Sequence, residues 1–277
     1  MPKIALVHDV FFQSDGQSRL IDTLGEARDQ GAVLAVLPEL PCDPWYPAER
    51  AGDQGQAEEW EIAGGARHTL LSEAAAVVGI CLVGGAIVRD PQDGRNYGTA
   101  LVFDAAGRLA TSYRKIHLPQ EPGFWERDHY DPGLEPPKST KICGIRLGIQ
   151  VCSDLNRPQG IALLAAQGTE LVVGPRATER ATWGRWRMVL RASAITSGSF
   201  LVSVNRPGPE RGVAIGGPSI AIDPDGEVLV ETEKRLSVVD LDLEHVARAR
   251  SSYPGYLEHG GGIYARGWAA LSEPSHG

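Results

Sequence analysis

The chain has 277 residues, 42% hydrophobic and 22% charged, the composition of an ordinary globular protein rather than a disordered one. That length fits one large domain or two small ones, and either can bury a real core. A net charge of −8 argues against nucleic acid or an anionic membrane as the main partner, because both select positive surfaces.

In chain order, residues 3–7 (KIALV) form a short apolar run that reads as a buried strand. Residues 16–30 place Leu20, Ile21, Leu24 and Ala27 at helical spacing, and Gly31 supplies a stop. Residues 33–37 (VLAVL) are again continuously apolar and end at Pro38. Two fully apolar strands around a helix mark a parallel sheet covered on both faces. A helix is predicted over 57–78, and strands over 80–88, 99–104 and 109–114, with turns at Asp93-Gly94 and Ala106-Gly107. The rhythm repeats with a strand at 145–151, a helix at 158–168, a strand at 170–174, a helix at 182–197 and a strand at 200–204. A hairpin arrangement of 217–223, 227–231 and 236–241 turns at Asp225-Gly226. The tail beyond about residue 245 has few periodic signals. Tyr253, Trp268 and the Gly260-Gly261-Gly262 run suggest a flexible tail that packs on a partner subunit. No Pro/Gly/Ser linker divides the chain, so one domain over 1–277 is expected, and an α/β sandwich of two facing sheets with helices outside satisfies every apolar run.

The cysteines, at 42, 81, 143 and 152, show no C-x-x-C spacing and no histidine-rich surroundings, so no zinc site is expected. So sparse a set predicts reduced thiols in a reducing compartment. The N-terminal MPKIALVHDV is too short in apolar residues for a signal peptide, and no stretch approaches the roughly 20 apolar residues of a membrane span. A soluble, cytoplasmic protein is expected.

Three positions put a reactive side chain directly after a buried strand, where sites in α/β folds are built. Glu39 follows VLAVLP, and burial there would raise its pKa and make it a better base; a carboxylate satisfied by backbone donors is the alternative. Lys115 ends a strand ahead of a loop stiffened by Pro119, Pro122 and Gly123, which carries Trp125, Glu126 and His129. That loop reads equally as a pocket wall or as a well-packed surface loop. Cys152 ends the strand 145–151 ahead of a helix start, where backbone N–H groups lower a thiol pKa and can hold an oxyanion. Cys42, Cys81 and Cys143 read instead as small buried hydrophobes, which remains the alternative for Cys152 too. No G-x-S-x-G elbow and no phosphate-loop pattern is present.

Taken together, these segments resemble the nitrilase superfamily of carbon–nitrogen hydrolases, from Lys3 to about Asp240. Glu39, Lys115 and Cys152 match that family's Glu-Lys-Cys triad in order and surroundings. YRKIHLPQEPGFWERDHYDPG looks like its lysine loop, with Glu126 at the position of a second glutamate. Further matches are RNYGTALVFDAAG at 95–107, RASAITSGSFLVSVNR at 191–206 and GGPSIAIDPDGEVL at 216–229. The resemblance implies a four-layer α-β-β-α sandwich, dimers or larger homo-oligomers, and neither metal nor organic cofactor. It implies attack by Cys152 on a small-molecule substrate, proton transfer by Glu39, and oxyanion stabilisation by Lys115 with the Ser153 backbone N–H. Glu126 would position substrate, orient Lys115 or share a proton.

True nitrilases carry Trp-Glu after the cysteine, whereas this chain has Cys152-Ser153-Asp154, which is closer to the amidase and carbamoylase branches. Hydrolysis of an amide or N-carbamoyl compound is therefore expected ahead of a nitrile. Trp125, His129, Asn156, Arg176 and Trp183 are candidate pocket residues. Arg176 could clamp a substrate carboxylate or pair with Glu179 on the surface. Trp45 reads as packing.

Overall fold

The computed structural model describes residues 1–51 and 59–272. Its elements are β1 (Lys3–Val7), α1 (Gly16–Asp29), β2 (Ala32–Val36), β3 (Glu61–Ile62), α2 (Ala66–Val78), β4 (Cys81–Arg89), β5 (Asn96–Phe103), β6 (Leu109–Arg114) and α3 (Glu126–His129). There follow β7 (Thr140–Ile142), β8 (Ile145–Ile149), α4 (Pro158–Ala166), β9 (Leu171–Arg176), α5 (Trp183–Ser197), β10 (Phe200–Asn205), β11 (Ser219–Ile222), β12 (Val228–Thr232), β13 (Leu236–Asp240), α6 (Leu243–Ser251) and α7 (Gly261–Ser272).

Two mixed sheets face each other. One runs β13-β1-β2-β4-β5-β6 with β3 paired to β4, and the other runs β12-β11-β10-β9-β8-β7. In each, the central strands are parallel: β1 with β2 and β2 with β4, then β8 with β9 and β9 with β10. These strands are largely apolar, and their side chains alternate with the pleat. Ile4, Leu6, Leu34 and Val36 meet Leu147, Ile149, Val173 and Val202 in the core between the sheets. Ala5, Val7 and Leu82 point outward to Leu20, Leu24 and Leu71 of α1 and α2. On the far side Val172 and Leu201 meet Leu164 and Leu190 of α4 and α5. The result is the expected four-layer α-β-β-α sandwich. Close helix packing needs bare backbone at Gly84, where a Cβ would lie 2.8 Å from Leu71, and at Gly148, where it would lie 2.7 Å from Leu164.

Four sequence expectations are corrected. The helix expected over 57–78 starts only at Ala66; residues 52–58 lie outside the described residues. Gly64 and Gly65 break it, and the Glu61 carboxylate caps its first turn by accepting from the N–H groups of Arg67 (2.7 Å) and His68 (2.8 Å). The strand predicted at 236–241 does not stay with its hairpin: β13 crosses to the other sheet and pairs antiparallel with β1. The tail is helical, with α6 capped by the Asp242 side chain and Gly261 opening α7. The four thiols are not all reduced. Cys81 on β4 is bonded to Cys143 in the β7–β8 turn, tying one sheet to the other. The two lie 62 residues apart in the chain, so spacing alone gave no sign of the pair. Cys42 and Cys152 are free and buried. Among the described residues no helix is long and apolar enough to cross a membrane.

Candidate active site

Glu39, Lys115 and Cys152 each follow the carboxyl end of a strand, β2, β6 and β8 respectively. Lys115 continues the line of β6, its N–H donating to the Gly98 carbonyl (2.9 Å) and its carbonyl accepting from Gly133 (2.8 Å). With its main chain held on both sides, the side chain enters the interior, where it has no exposed surface. Its ammonium donates to Glu39 Oε1 at 2.7 Å and to Glu126 Oε1 and Oε2 at 2.7 and 2.6 Å. Glu126, the first residue of α3, is equally sealed.

One cation between two buried carboxylates leaves an excess negative charge out of water. Burial alone would lower the lysine pKa, but Glu126 and Glu39 outweigh it and hold the ammonium firmly protonated. Burial pushes Glu126 up to about 7, against the pull of Lys115, with Glu39 adding to the rise. The second oxygen of Glu39, Oε2, is buried and accepts no hydrogen bond from a described residue. A buried carboxylate oxygen without a donor is costly unless a reacting group supplies one.

Cys152 opens a short 3-10 turn, Cys152–Asn156, directly after β8. Its φ of +47° is left-handed, an uncommon state for a residue with a Cβ. Sγ lies 3.6 Å from the Ala177 carbonyl. Burial raises the thiol pKa, and the negative field of Glu39 raises it further than Lys115 can lower it. The resting group is therefore a thiol at neutral pH, and it could act as a nucleophile only with a base to take its proton.

Cys152 also borders a cleft of about 290 Å³, together with Ser153, Asn156, Phe124, Thr178, Arg185 and Trp186. Two of the residues expected in the pocket, Ser153 and Asn156, are there. Four are not brought to it. The Arg50 guanidinium stacks over Trp125, its Cζ 3.8 Å from the ring centroid. His129 is buried between the Glu59 carboxylate (2.7 Å) and the Glu49 carbonyl (2.9 Å); burial lowers its pKa, but those partners prevail and raise it. Arg176 is fully buried and spends its donors on Ser203, Thr178 and the Pro218 carbonyl, reaching neither a cleft nor Glu179. Trp183 lies against Arg176 and donates to Glu231 on β12 at 2.8 Å. Trp45 is packing, sealed beside Phe124 with its indole N–H on the Gly123 carbonyl.

Sequence reasoning missed Arg185, Trp186 and Phe124 in the cleft wall. Arg185 and Trp186 lie in the first turn of α5 beside Trp183, and which of these residues faces the cleft depends on how α5 lies on its sheet. It also missed Arg206, whose buried guanidinium donates to the carbonyls of Glu39 (2.9 Å), Leu40 (2.6 Å) and Asp43 (2.9 Å) and to the Glu210 carboxylate. Its distance of 167 residues from Glu39 gives no local signal. Among the described residues no group of three or more His, Cys, Asp or Glu could hold a metal ion.

With this geometry in view, comparison with known proteins is direct. The family model described as carbon-nitrogen hydrolase matches residues 13–251. The chain belongs to the carbon–nitrogen hydrolase family. This carbon–nitrogen hydrolase is 29% identical over 263 residues to the omega-amidase NIT2 of Homo sapiens, covering 91% of this chain and 92% of that protein. The crystal structure of a carbon-nitrogen hydrolase from Helicobacter pylori G27 shares its fold, with a TM-score of 0.79 at 22% identity over 92% of this chain and 94% of that one. A mutant of the amidase from Nesterenkonia sp. AN1 superposes with a TM-score of 0.74 at 27% identity, over 89% of this chain and 92% of that one. It shows covalent addition of the acetamide moiety of fluoroacetamide at its active-site cysteine. The hydrolase described here is thus an enzyme of the amidase branch of the nitrilase superfamily.

Proposed function

We propose that this enzyme hydrolyses the C–N bond of a small amide or N-carbamoyl compound and releases ammonia, with Cys152 as nucleophile. The observation that carries the reading is the buried Glu39–Lys115–Glu126 cluster, with Glu39 Oε2 lacking a donor inside it. Glu39 Oε2 takes the thiol proton while Sγ attacks the carbonyl carbon. The tetrahedral oxyanion forms against the Lys115 ammonium and the Ser153 backbone N–H. Collapse breaks the C–N bond, and the proton on Glu39 goes to the leaving nitrogen, which departs as ammonia and leaves a thioester. Water, deprotonated by Glu39, then splits the thioester to acid and free thiol. Glu126 keeps the ammonium aimed, and no step requires a metal or organic cofactor. Asn156 and Ser153 contact the substrate.

Cys152-Ser153-Asp154, without Trp-Glu, favours an amide over a nitrile, as does the omega-amidase activity for which the human relative is named. The exposed apolar residues Ile263, Tyr264, Trp268 and Leu271 of α7 support assembly of copies into a homodimer or larger oligomer. The test is an ammonia-release screen over small amides, N-carbamoyl compounds and the matching nitriles, repeated with Cys152→Ala. Amide or carbamoyl turnover lost by about 10⁴-fold or more in the variant is the expected result. Release from the nitrile alone would favour a nitrilase, product formed only with an added amine an acyltransferase, and turnover retained by Cys152→Ala would end the reading.

A further inference from the structure

One carboxylate outside the reacting cluster joins the lysine segment to the cysteine turn. Asp154 has no exposed surface. Its Oδ1 accepts from the backbone N–H of His117 (2.9 Å) and of Ile116 (3.3 Å), and lies 2.7 Å from His117 Nδ1. Its Oδ2 accepts from the Tyr113 hydroxyl (2.9 Å) and from the Val151 N–H (3.3 Å). Gln150 donates to the same Tyr113 oxygen at 3.0 Å, so that hydroxyl's proton is directed to Asp154. Ser153 closes the contact by donating from its hydroxyl to the His117 carbonyl.

Among the described residues these donors come from two places. Tyr113, Ile116 and His117 flank Lys115 on both sides, and Val151 immediately precedes Cys152. We propose that Asp154 is a positioning residue that holds the Lys115 ammonium and the Cys152 sulfur in one register. Two physical requirements make it necessary. Cys152 sits in a left-handed conformation, which costs on the order of 1–3 kcal/mol and persists only where its surroundings impose it. Asp154 imposes it from both ends of the turn, since its N–H donates to the Val151 carbonyl (3.0 Å) while its carboxylate receives the Val151 N–H. Lys115 and Cys152 also belong to different sheets, so no strand pairing fixes one against the other. A carboxylate is suited to the task because it accepts through both oxygens and donates through neither. An amide in its place would keep the bonds to Oδ1 but present N–H groups to Tyr113 and Val151, both already donors.

This inference rests on Cys152 being the nucleophile, and its test is arranged to fail separately. Purified Asp154→Asn is assayed beside the parent and Cys152→Ala for kcat, KM, melting temperature and the rate of Cys152 alkylation by iodoacetamide. The expected result is a fall in kcat of about 100-fold, the cost of misplacing reacting groups by about 1 Å, with KM changed less than about threefold and the alkylation rate altered. Should Asp154→Asn not fold, Tyr113→Phe decides. It removes one donor from Oδ2, and a fall in kcat of about tenfold at unchanged KM is expected. Parental kcat in a folded Asp154→Asn, or in Tyr113→Phe when that variant must decide, overturns the proposal. So does a loss that follows melting temperature alone and raises KM as much as it lowers kcat. Turnover surviving Cys152→Ala would instead defeat the mechanism itself.

Discussion

The turns after β2 and β8 solve one backbone problem with opposite charges. Each places a non-glycine residue in the left-handed region, Leu40 at φ +47° beside Glu39 and Cys152 at φ +47° itself. The first turn points carbonyls inward, and a cation, Arg206, collects three of them. At the second the charge is an anion: Asp154 collects the Val151 N–H of its own turn and the Ile116 and His117 N–H groups of the lysine segment. The cation comes from the end of β10, far along the chain, whereas the anion is two residues from the cysteine it steadies. The lesson is that the Glu39 turn is held by the assembled sandwich, whereas the Cys152 turn is held by its own segment and the lysine segment beside it.

Substitutions can break this contrast. The largest effect is expected from Lys115→Ala, which leaves two facing buried carboxylates with no cation. Turnover should vanish, and unfolding in denaturant should show a loss of about 3–5 kcal/mol, the usual result of orphaning a buried charge. Next comes Arg206→Met, which removes one donor from each of three carbonyls and from Glu210, leaving Leu40 with the Asp43 N–H and Glu210 with the Trp45 N–H, while nearly keeping the volume. A fall in kcat of about 10–100-fold with a stability loss of about 2–4 kcal/mol is expected, and full activity would show that the Glu39 turn holds itself.

Glu126 sharpens the electrostatic side. Its folded pKa of about 7 lies above the ordinary carboxylate value of 4.5. Between those values the folded protein binds more protons than the unfolded chain, so this group's contribution to stability declines as pH rises from about 4.5 to 7. Glu126→Gln does not titrate. The stability of the parent relative to Glu126→Gln should therefore fall across that window by about 1–3 kcal/mol, measured by denaturant midpoints at several pH values. A flat difference would mean that Lys115 keeps Glu126 ionised. The smallest effect is expected at Arg185, exposed in the cleft wall and without an ion-pair partner among the described residues. Arg185→Ala should raise KM about 3–10-fold for amides bearing a carboxylate and leave neutral amides unchanged.

Much of this was legible in the primary structure. Largely apolar segments of five to seven residues located β1, β2, β8, β9 and β10 to within a residue or two, because strands covered on both faces must be mostly apolar. The same strands led to Glu39, Lys115 and Cys152 as candidates at their ends, the family resemblance singled them out, and the structure brings Lys115 against Glu39 and against Glu126 of the lysine loop. Trp125, His129, Arg176 and Trp183 went elsewhere because nearness in sequence to a strand end does not say which way a side chain turns. Arg176 ends β9, and its alternation sends it into the protein, where Ser203, Thr178 and Pro218 saturate it.

The sequence by itself determined the alternation of strands and helices that builds the four layers, since it follows from local hydrophobic period, and it marked Glu39, Lys115 and Cys152 as candidates through their place at strand ends and their resemblance to the family's triad. Only the tertiary structure decided that β13 would join β1, that Cys81 would meet Cys143, that Arg206 would clasp Glu39, and which face of α5 would line the cleft. Those outcomes depend on how two sheets are stacked and which long-range partners satisfy buried polar groups, and neither is encoded in a window of neighbouring residues.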